Sequence, residues 1–273
     1  MFRQRCKETK KRLVYEVIRL KSNIPREISK YLRKLFKPKD LRELPPKYPQ
    51  DFSKVSIDII KLVKPYTMVS QERIVTLEQA VRYIIQNQIE GDIVECGVAL
   101  GGCMMVVAYV LKELHDTGRE LFLYDTFEGT PEPTENDISV FGKSALRKYR
   151  KKMKEGRSMW HYFPLDEVKN TFEKTNYPPD KVYYVKGLVQ ETLPKSNHKK
   201  IALLRLDTNL YESTNAELTY LYPKLVSGGV IIIDDYFRWL GQRKAVDEYF
   251  ALNNVRIFLV RVDDHSVIGI KYT

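Results

Sequence analysis

"GDIVECGVALGG" (Gly91–Gly102) predicts a strand, a turn rich in glycine and the start of a helix, in that order. Ile93 and Val94 supply a short apolar strand, and Glu95 stands at its end. The glycines of the turn are Gly97, Gly101 and Gly102. This order is typical of α/β proteins that bind a nucleotide-like ligand. The spacing G-x-x-x-G-G differs from the G-x-G-x-x-G of dinucleotide sites, and no lysine follows it, so the turn does not predict a phosphate site.

Apolar segments alternate with amphipathic segments from about residue 52 onward, which predicts alternating strands and helices. The predicted strands are Asp92–Cys96, Leu121–Tyr124, Val182–Val185, Ile201–Leu206, Val230–Ile233, Val255–Val260 and Ser266–Ile270. The predicted helices are Ser70–Ile89, Gly102–Leu114, Leu165–Phe172, Ser213–Leu221 and Gln242–Leu252. Strands that are apolar throughout indicate a parallel sheet covered on both faces. The last two strands are joined by a hairpin at Asp263-Asp264, so we predict an α/β fold with a Rossmann-like, seven-stranded, mostly parallel sheet, one antiparallel strand and helices on both faces.

The positive charge of the chain is concentrated at its N-terminus. The 273 residues have a formal net charge of +11, and residues 1–48 hold 16 Lys and Arg against 5 Asp and Glu, while the rest is balanced. We predict a basic helical arm and linker over residues 1–50, with amphipathic patterns around Leu13 and Leu32, and one α/β domain over residues 51–273. Such an arm suits an anionic surface, such as a membrane or a nucleic acid. The alternative is a pair of solvated helices that pack on the domain or on a second subunit.

No segment of the sequence suits a membrane span or a secretory signal. No apolar run approaches the roughly 20 residues of a transmembrane helix, and the N-terminus lacks the apolar core of a signal peptide. The cysteines Cys6, Cys96 and Cys103 form no C-x-x-C pair and no disulfide framework. We therefore expect a cytoplasmic protein.

Acidic side chains follow the predicted strands at the edge where open α/β sheets bind their ligands. They are Glu95, Asp125, Asp207, Asp234 and Asp235. Asp125 ends the second strand, where an acid accepts hydrogen bonds from ribose hydroxyls. Asp207, Asp234 and Asp235 have no histidine or cysteine nearby, which favours a hard divalent ion such as Mg²⁺ over zinc. A single acid at a strand end is often only a helix cap, so the prediction depends on all five together.

Several long stretches of the sequence, in order, resemble the class I S-adenosylmethionine-dependent methyltransferases. Within them the chain is similar to the macrocin O-methyltransferase family, which methylates sugar hydroxyls on antibiotics. The stretches are "SQERIVTLEQAVRYIIQNQIEGDIVECGVALGG", "LYDTFEGTPEPTEND", "KGLVQETLP", "LRLDTNLYESTNAELTYLYPKLVSGGVIIIDDY" and "GQRKAVDEYF". They span Ser70 to Phe250, about two thirds of the chain, and leave the basic arm outside.

The resemblance implies which residues bind S-adenosylmethionine. The turn from Glu95 to Gly102 would surround the methionine part of the cofactor, Asp125 would hold the ribose hydroxyls, and Gly187 would lie near the adenine. The residues implied in cofactor binding are Ser70, Glu95, Cys96, Gly97, Gly101, Gly102, Asp125, Thr126, Phe127 and Gly187.

The resemblance also implies a metal-assisted reaction. Asp207, Asp234 and Asp235 match the family's magnesium ligands, and Asp207 also matches its proposed general base. The implied function is a Mg²⁺-assisted O-methyltransferase that acts on a hydroxyl, within a vicinal diol, of a sugar or a glycosylated small molecule.

Two positions depart from the family pattern. The glycine turn contains Ala99-Leu100 where family members often have Trp-Arg. Asn209 stands where they often have a second acid. An asparagine oxygen can still bind a hard ion.

The polar insert from Thr126 to Tyr162 is predicted to be a lid over the acceptor, because inserts of this length in compact domains are usually functional. A helix is predicted over Lys143–Arg157, which holds eight basic residues. This charge favours an anionic acceptor, such as a phosphorylated or acidic glycan. The alternative is a mobile, solvated loop.

Two other functions stay open from the sequence alone. An NAD(P)-dependent oxidoreductase would use the same kind of sheet, although Glu95 and the glycine spacing count against it. The second is a non-catalytic cofactor-binding protein that is anchored by its basic arm. We also expect a homodimer or a higher homo-oligomer.

Overall fold

The computed structural model describes residues 48–272. The chain divides into two units, Met1–Phe52 and Ser53–Thr273. The predicted basic arm, most of the linker and Cys6 lie outside the described residues, so what was predicted for them stays a prediction. Within the described part, no helix has the length and apolar character needed to cross a membrane.

A mostly parallel sheet of seven strands forms the centre of the second unit. The strands of the described part are β1 (Asp92–Cys96), β2 (Leu121–Asp125), β3 (Met153–Lys154), β4 (Arg157–Ser158), β5 (Val182–Lys186), β6 (Ile201–Leu206), β7 (Leu225–Ile233), β8 (Leu259–Arg261) and β9 (Val267–Ile270). The sheet has the order β5-β2-β1-β6-β7-β9-β8, and β3 pairs only with β4. β9 runs antiparallel to both β7 and β8, whereas the other neighbours are parallel. The predicted fold class is confirmed, including the one antiparallel strand.

Helices cover the sheet in two groups. The α-helices of the described part are α1 (Lys54–Val63), α2 (Gln71–Gln86), α3 (Gly102–Glu113), α4 (Ala145–Lys152), α5 (Leu165–Phe172), α6 (Val189–Thr192), α7 (Tyr211–Leu221) and α8 (Leu240–Leu252). α1, α2, α3 and α5 pack together, and α6, α7 and α8 pack together. Between them the central strand β6 is buried along its whole length, as expected for a parallel strand with helices on both faces.

Two predicted elements are shorter in the structure than the sequence pattern indicates. The helix predicted over Lys143–Arg157 covers only Ala145–Lys152, because Met153 (φ −68°, ψ 131°) is extended and begins β3. Glu155 (φ 50°) and Gly156 (φ 76°) then form the turn between β3 and β4. The strand predicted over Val255–Val260 begins only at Leu259. A pattern of basic or apolar side chains does not encode such local backbone conformations.

Candidate functional site

A cavity of about 310 Å³ opens at the carboxyl ends of the parallel strands. Its wall includes residues that end or follow β1, β2, β5, β6 and β7, namely Gly97, Asp125, Thr126, Gly187, Asp207, Asp234 and Asp235. The sheet therefore brings side chains from distant parts of the chain to the edge at which α/β folds bind ligands.

Gly97 holds the glycine turn against the end of β6. Its φ is +85°, and a side chain at this position would collide with the backbone of Asp207. Gly101 has a φ of +87° and caps the start of α3. Glycine adopts these backbone angles at little cost. The turn can therefore present its backbone to the cavity at Gly97, Val98 and Ala99.

The carboxylate of Asp125 connects β2 to the glycine turn. Its Oδ2 accepts hydrogen bonds from the amides of Val98 (2.8 Å) and Ala99 (3.3 Å), and its Oδ1 accepts one from the amide of Phe127 (2.9 Å). Burial raises the pKa of Asp125, and these amide hydrogen bonds counteract the shift. Each carboxylate oxygen has two acceptor positions. Those of Oδ2 are both used, and Oδ1 keeps one for a ligand hydroxyl, because the hydroxyl of Thr126, 3.3 Å from Oδ1, lies closer to the carbonyl of Gly129, at 2.7 Å.

Arg205 is the centre of a buried acidic cluster, and sequence reasoning missed it as a site residue. Only 3% of Arg205 is exposed. Its Nη1 lies 2.5 Å from Oε1 of Glu95 and 3.0 Å from Oδ2 of Asp207. Its Nη2 donates to Oδ1 of Asp234 over 2.6 Å. One guanidinium group therefore joins the ends of β1, β6 and β7 through charge-assisted contacts.

Arg73 on α2 supplies a second guanidinium group to the same cluster. Its Nη1 lies 2.5 Å from Oδ2 of Asp234, and its Nε donates to Oδ2 of Asp263 over 2.8 Å. The hydroxyl of Ser70, which also caps α2, donates to the same oxygen of Asp263 over 2.8 Å. Both carboxylate oxygens of Asp234 are therefore engaged by guanidinium groups.

Asp207 and Asp235 are the more accessible acids of the cluster. Their side chains are 20% and 17% exposed, and both line the cavity. Burial and, next, the charge of Asp234 raise the pKa of Asp207 well above its usual range and that of Asp235 to about 6. Burial also raises the pKa of Glu95 to about 7. The cluster holds more carboxylates than its two guanidinium groups can neutralise, which favours a cationic ligand.

The residues predicted for cofactor binding separate into two sets. Gly97, Asp125, Thr126 and Gly187 line the cavity. Ser70, Glu95, Cys96, Gly101, Gly102 and Phe127 do not. Most of the second set lies in or beside the turn: Glu95 and Cys96 are fully buried in β1, and a side chain at Gly102 would collide with the backbone of Tyr66. Ser70 instead caps α2 and donates to Asp263. Direct contact with a cofactor stays a prediction for all six residues.

The outer part of the cavity is lined by basic and aromatic residues from the insert and from the connection between β7 and α8. These residues are Lys148, Trp160, His161, Arg238 and Trp239. The ring centroids of Trp160 and Trp239 are 5.8 Å apart. Burial lowers the pKa of His161 to about 4, so this side chain is neutral near pH 7. The insert therefore contributes a wall to the cavity.

Glu217 on α7 is a buried acid behind the site, near Thr208. Within residues 48–272, no hydrogen bond of normal geometry reaches either carboxylate oxygen. Burial raises the pKa of Glu217 well above its usual range, and Thr208 offsets this only in part. Above about pH 4.3 the unfolded chain ionises at this position and the folded protein does not, so stability falls as the pH rises. We expect Glu217→Gln to remove this loss and to raise the free energy of unfolding at neutral pH by about 1–3 kcal/mol.

Urea unfolding of the wild type and the Glu217→Gln variant between about pH 5 and pH 8 measures this difference. Glu212→Gln is the matched control, because Glu212 lies on the same helix and is exposed. If the free energy of unfolding changes with pH in the same way for the wild type and for Glu217→Gln, the expectation is contradicted.

Comparison with known proteins places the chain among methyltransferases. The family model described as Macrocin-O-methyltransferase (TylF) matches residues 28–270. The demethyldecarbamoylnovobiocin O-methyltransferase of Streptomyces niveus is 32% identical over 202 residues, which cover 74% of each chain. The 8-demethyl-8-(2,3-dimethoxy-alpha-L-rhamnosyl)-tetracenomycin-C 4'-O-methyltransferase of Streptomyces olivaceus is 34% identical over 171 residues, which cover 63% of this chain and 62% of the relative.

A solved structure agrees with these relatives. The O-methyltransferase NovP is similar with a TM-score of 0.68 and 29% sequence identity, over 76% of this chain and 83% of NovP. The family match decides against the oxidoreductase and the non-catalytic protein that the sequence alone left open. The chain is an O-methyltransferase and belongs to the macrocin O-methyltransferase family.

Proposed function

We propose that the protein transfers a methyl group from S-adenosylmethionine to a hydroxyl, within a vicinal diol, of a sugar or a glycosylated small molecule, assisted by Mg²⁺. Membership of the family supports the methyl donor. The Streptomyces olivaceus relative, which acts on a rhamnosyl-tetracenomycin, supports the sugar. The observation that carries the proposal is a single cavity that combines the backbone of the glycine turn with the accessible carboxylate of Asp207.

The inner wall of the cavity fits the cofactor. At Gly97 any side chain would collide with neighbouring backbone, so the turn leaves its peptide groups open to a ligand. The backbone around Gly97 would hold the methionine part, Asp125 the ribose hydroxyls, and Gly187, which has a φ of +140°, the adenine side. When bound, S-adenosylmethionine supplies an electrophilic methyl group on a positively charged sulfur.

Some of the acidic side chains at the cavity are suited to binding a hard divalent ion, and others are not free to do so. Asp207 and Asp235 expose carboxylates to the cavity. Burial and, next, the charge of Asp234 raise both pKa values, and a cation would oppose both effects. Both oxygens of Asp234 are held by Arg205 and Arg73, and no three acidic, histidine or cysteine side chains within residues 48–272 form a ready metal cage. Asp207 and Asp235 would therefore hold Mg²⁺, and Asp234 would join them only by releasing a guanidinium group. An ion held there would lower the pKa of a hydroxyl within the vicinal diol of the acceptor.

Asp207 is the proposed general base. Its carboxylate lines the cavity, and burial and, next, the charge of Asp234 raise its pKa well above its usual range, which makes it a stronger base than an exposed aspartate. Arg205 lies 3.0 Å from Oδ2 of Asp207 and limits the directions in which the carboxylate can point. Asp207 would accept the proton of the acceptor hydroxyl at a defined position.

Methyl transfer to a panel of glycosides, with and without EDTA, tests the proposed function. We expect transfer from S-adenosylmethionine that is lost in EDTA and returns when Mg²⁺ is added in excess. Binding of S-adenosylhomocysteine, measured by calorimetry, is expected to persist in EDTA, because the glycine turn and Asp125 need no metal. Failure to bind S-adenosylhomocysteine would contradict the proposed cofactor, and full transfer in EDTA would contradict the role of Mg²⁺ alone.

Three further proposals rest on the sequence. The basic arm, residues 1–50, contacts an anionic surface. The protein forms a homodimer or a higher homo-oligomer, and it works in the cytoplasm.

A further inference from the structure

Two cationic side chains line the outer part of the cavity without an acidic partner. Lys148 comes from α4, in the insert, and Arg238 comes from the connection between β7 and α8. Neither forms an ion pair with any acid of residues 48–272, whereas Arg73 and Arg205 in the inner part are both paired with carboxylates. The outer part of the cavity therefore has two cations that no ion pair within the described residues neutralises, and Asp235 acts on them only from a longer distance.

The two positive charges lie close enough to affect each other. Burial and, next, the charge of Arg238 lower the pKa of Lys148. Asp235 also influences both cations, but its Oδ1 faces Nη1 of Arg73 at 3.6 Å and Nδ1 of His265 at 3.8 Å. Like charges in a partly desolvated cavity raise the free energy of the empty protein, and a bound anion would lower it.

Aromatic rings and the backbone hold the two cations in position. Nζ of Lys148 lies 4.1 Å from the ring centroid of Trp160, and Cζ of Arg238 lies 5.4 Å from that of Phe141. The amide of Val140 donates to the carbonyl of Arg238 over 3.0 Å, which connects the insert to the segment after β7. The site is therefore organised before a ligand binds, which reduces the entropy lost on binding.

We propose that Lys148 and Arg238 bind an anionic group of the acceptor, a phosphate or a carboxylate, so that the substrate class is an anionic sugar derivative. The inference rests on the proposed function, because it assigns the outer part of the cavity to the acceptor. A guanidinium group presents a planar pair of donors that fits two oxygens of a phosphate or carboxylate, and an ammonium group adds a compact charge. The hydroxyl to be methylated would then face Asp207 in the inner part of the cavity.

Tryptophan fluorescence offers a direct measurement of this site. The chain contains two tryptophans, Trp160 and Trp239, and both line the cavity beside the two cations. The full-length protein is titrated with glucose 1-phosphate, glucuronic acid and glucose, each with and without saturating S-adenosylhomocysteine. We expect a saturable change with at least one anionic sugar and binding of glucose at least tenfold weaker. The two anionic sugars separate a phosphate site from a carboxylate site.

Variants separate specific binding from general attraction. Lys148→Gln and Arg238→Gln are each expected to weaken binding of the anionic sugar at least tenfold and to leave the affinity for S-adenosylhomocysteine within twofold. Arg147→Gln is the matched control, since Arg147 precedes Lys148 on α4 and is exposed like it but does not line the cavity, and the variant should bind both ligands like the wild type.

Three results would overturn the proposal: no binding of either anionic sugar, equal binding of glucose, or equal loss in Arg147→Gln and Lys148→Gln. A wild type that binds the anionic sugar but not S-adenosylhomocysteine would contradict the proposed cofactor and support the anion site. The two ideas can therefore fail separately.

Discussion

Replacing Arg205 by methionine should lower the free energy of unfolding by about 3–5 kcal/mol, as expected when one partner of a buried ion pair is removed. Methionine has a similar length and no charge, so it retains much of the packing. It leaves Glu95, Asp207 and Asp234 buried beside one another without the cation that joins them. For a domain of this size the midpoint of thermal unfolding should fall by roughly 6–20 °C.

The same substitution should cost less at low pH. Protonation removes the repulsion between the buried acids, and burial has already raised the pKa of Glu95 and Asp207. Thermal unfolding at about pH 8 and pH 5 measures both effects. Arg243→Met is the matched control, because Arg243 pairs with Asp247 on the surface, where the side chains are 47% and 51% exposed; its effect should stay within about 0.5 kcal/mol. An Arg205→Met protein as stable as this control would show that the acid cluster does not need its central cation.

The sheet could be predicted because most residues of its strands are apolar. β1 and β6 have the predicted bounds, Asp92–Cys96 and Ile201–Leu206. Prediction was weaker where single backbone angles decide the structure. The extended conformation of Met153 ends the basic helix at Lys152, although the side-chain pattern continues to Arg157. Periodicity indicates which face of a helix or strand is buried. It does not indicate the backbone angles of the residue at which the element ends.

The acids of the site could be predicted and the arginines could not, for a physical reason. An acid directly after a strand, such as Asp207, is placed at the binding edge by topology alone. Arg73 lies on an amphipathic helix, where a charged residue is normally assigned to the solvent face. Arg205 did leave a signal: it interrupts the apolar run of β6, and a charge within a fully buried strand requires acidic partners.

Asn209, like Arg205, is an unusual residue in the sequence whose surroundings become clear only in the structure. It departs from the family pattern, its φ is 71°, and only 8% of it is exposed. Its Oδ1 has no hydrogen-bond partner within the described residues, and the residue lines the cavity. A buried acceptor without a partner costs free energy that a ligand donor or a cation would recover. We therefore expect Asn209, like Asp207 and Asp235, to contact a ligand bound in the cavity.

Replacing Asp207 by asparagine should reduce the rate of methyl transfer by about 10²–10⁴-fold, the usual contribution of a general base. Asparagine keeps the size of the side chain and cannot take up the proton of the acceptor hydroxyl. The fold should persist, because the substitution removes one of several acids that repel one another. Affinity for S-adenosylhomocysteine should change little, since the glycine turn and Asp125 stay intact. Single-turnover rates and calorimetric binding of S-adenosylhomocysteine measure the two quantities separately.

Asp235→Asn is the informative comparison, because Asp235 is proposed to hold Mg²⁺ and to take no part in proton transfer. Its rate should fall at low Mg²⁺ and recover as Mg²⁺ is raised, whereas the rate of Asp207→Asn should stay low at every Mg²⁺ concentration. If both variants recover alike, Asp207 acts only through the metal and the base must lie elsewhere. If Asp207→Asn keeps more than about a tenth of the wild-type rate, proton removal by Asp207 contributes less than the lower limit expected of a general base, and its assignment is wrong.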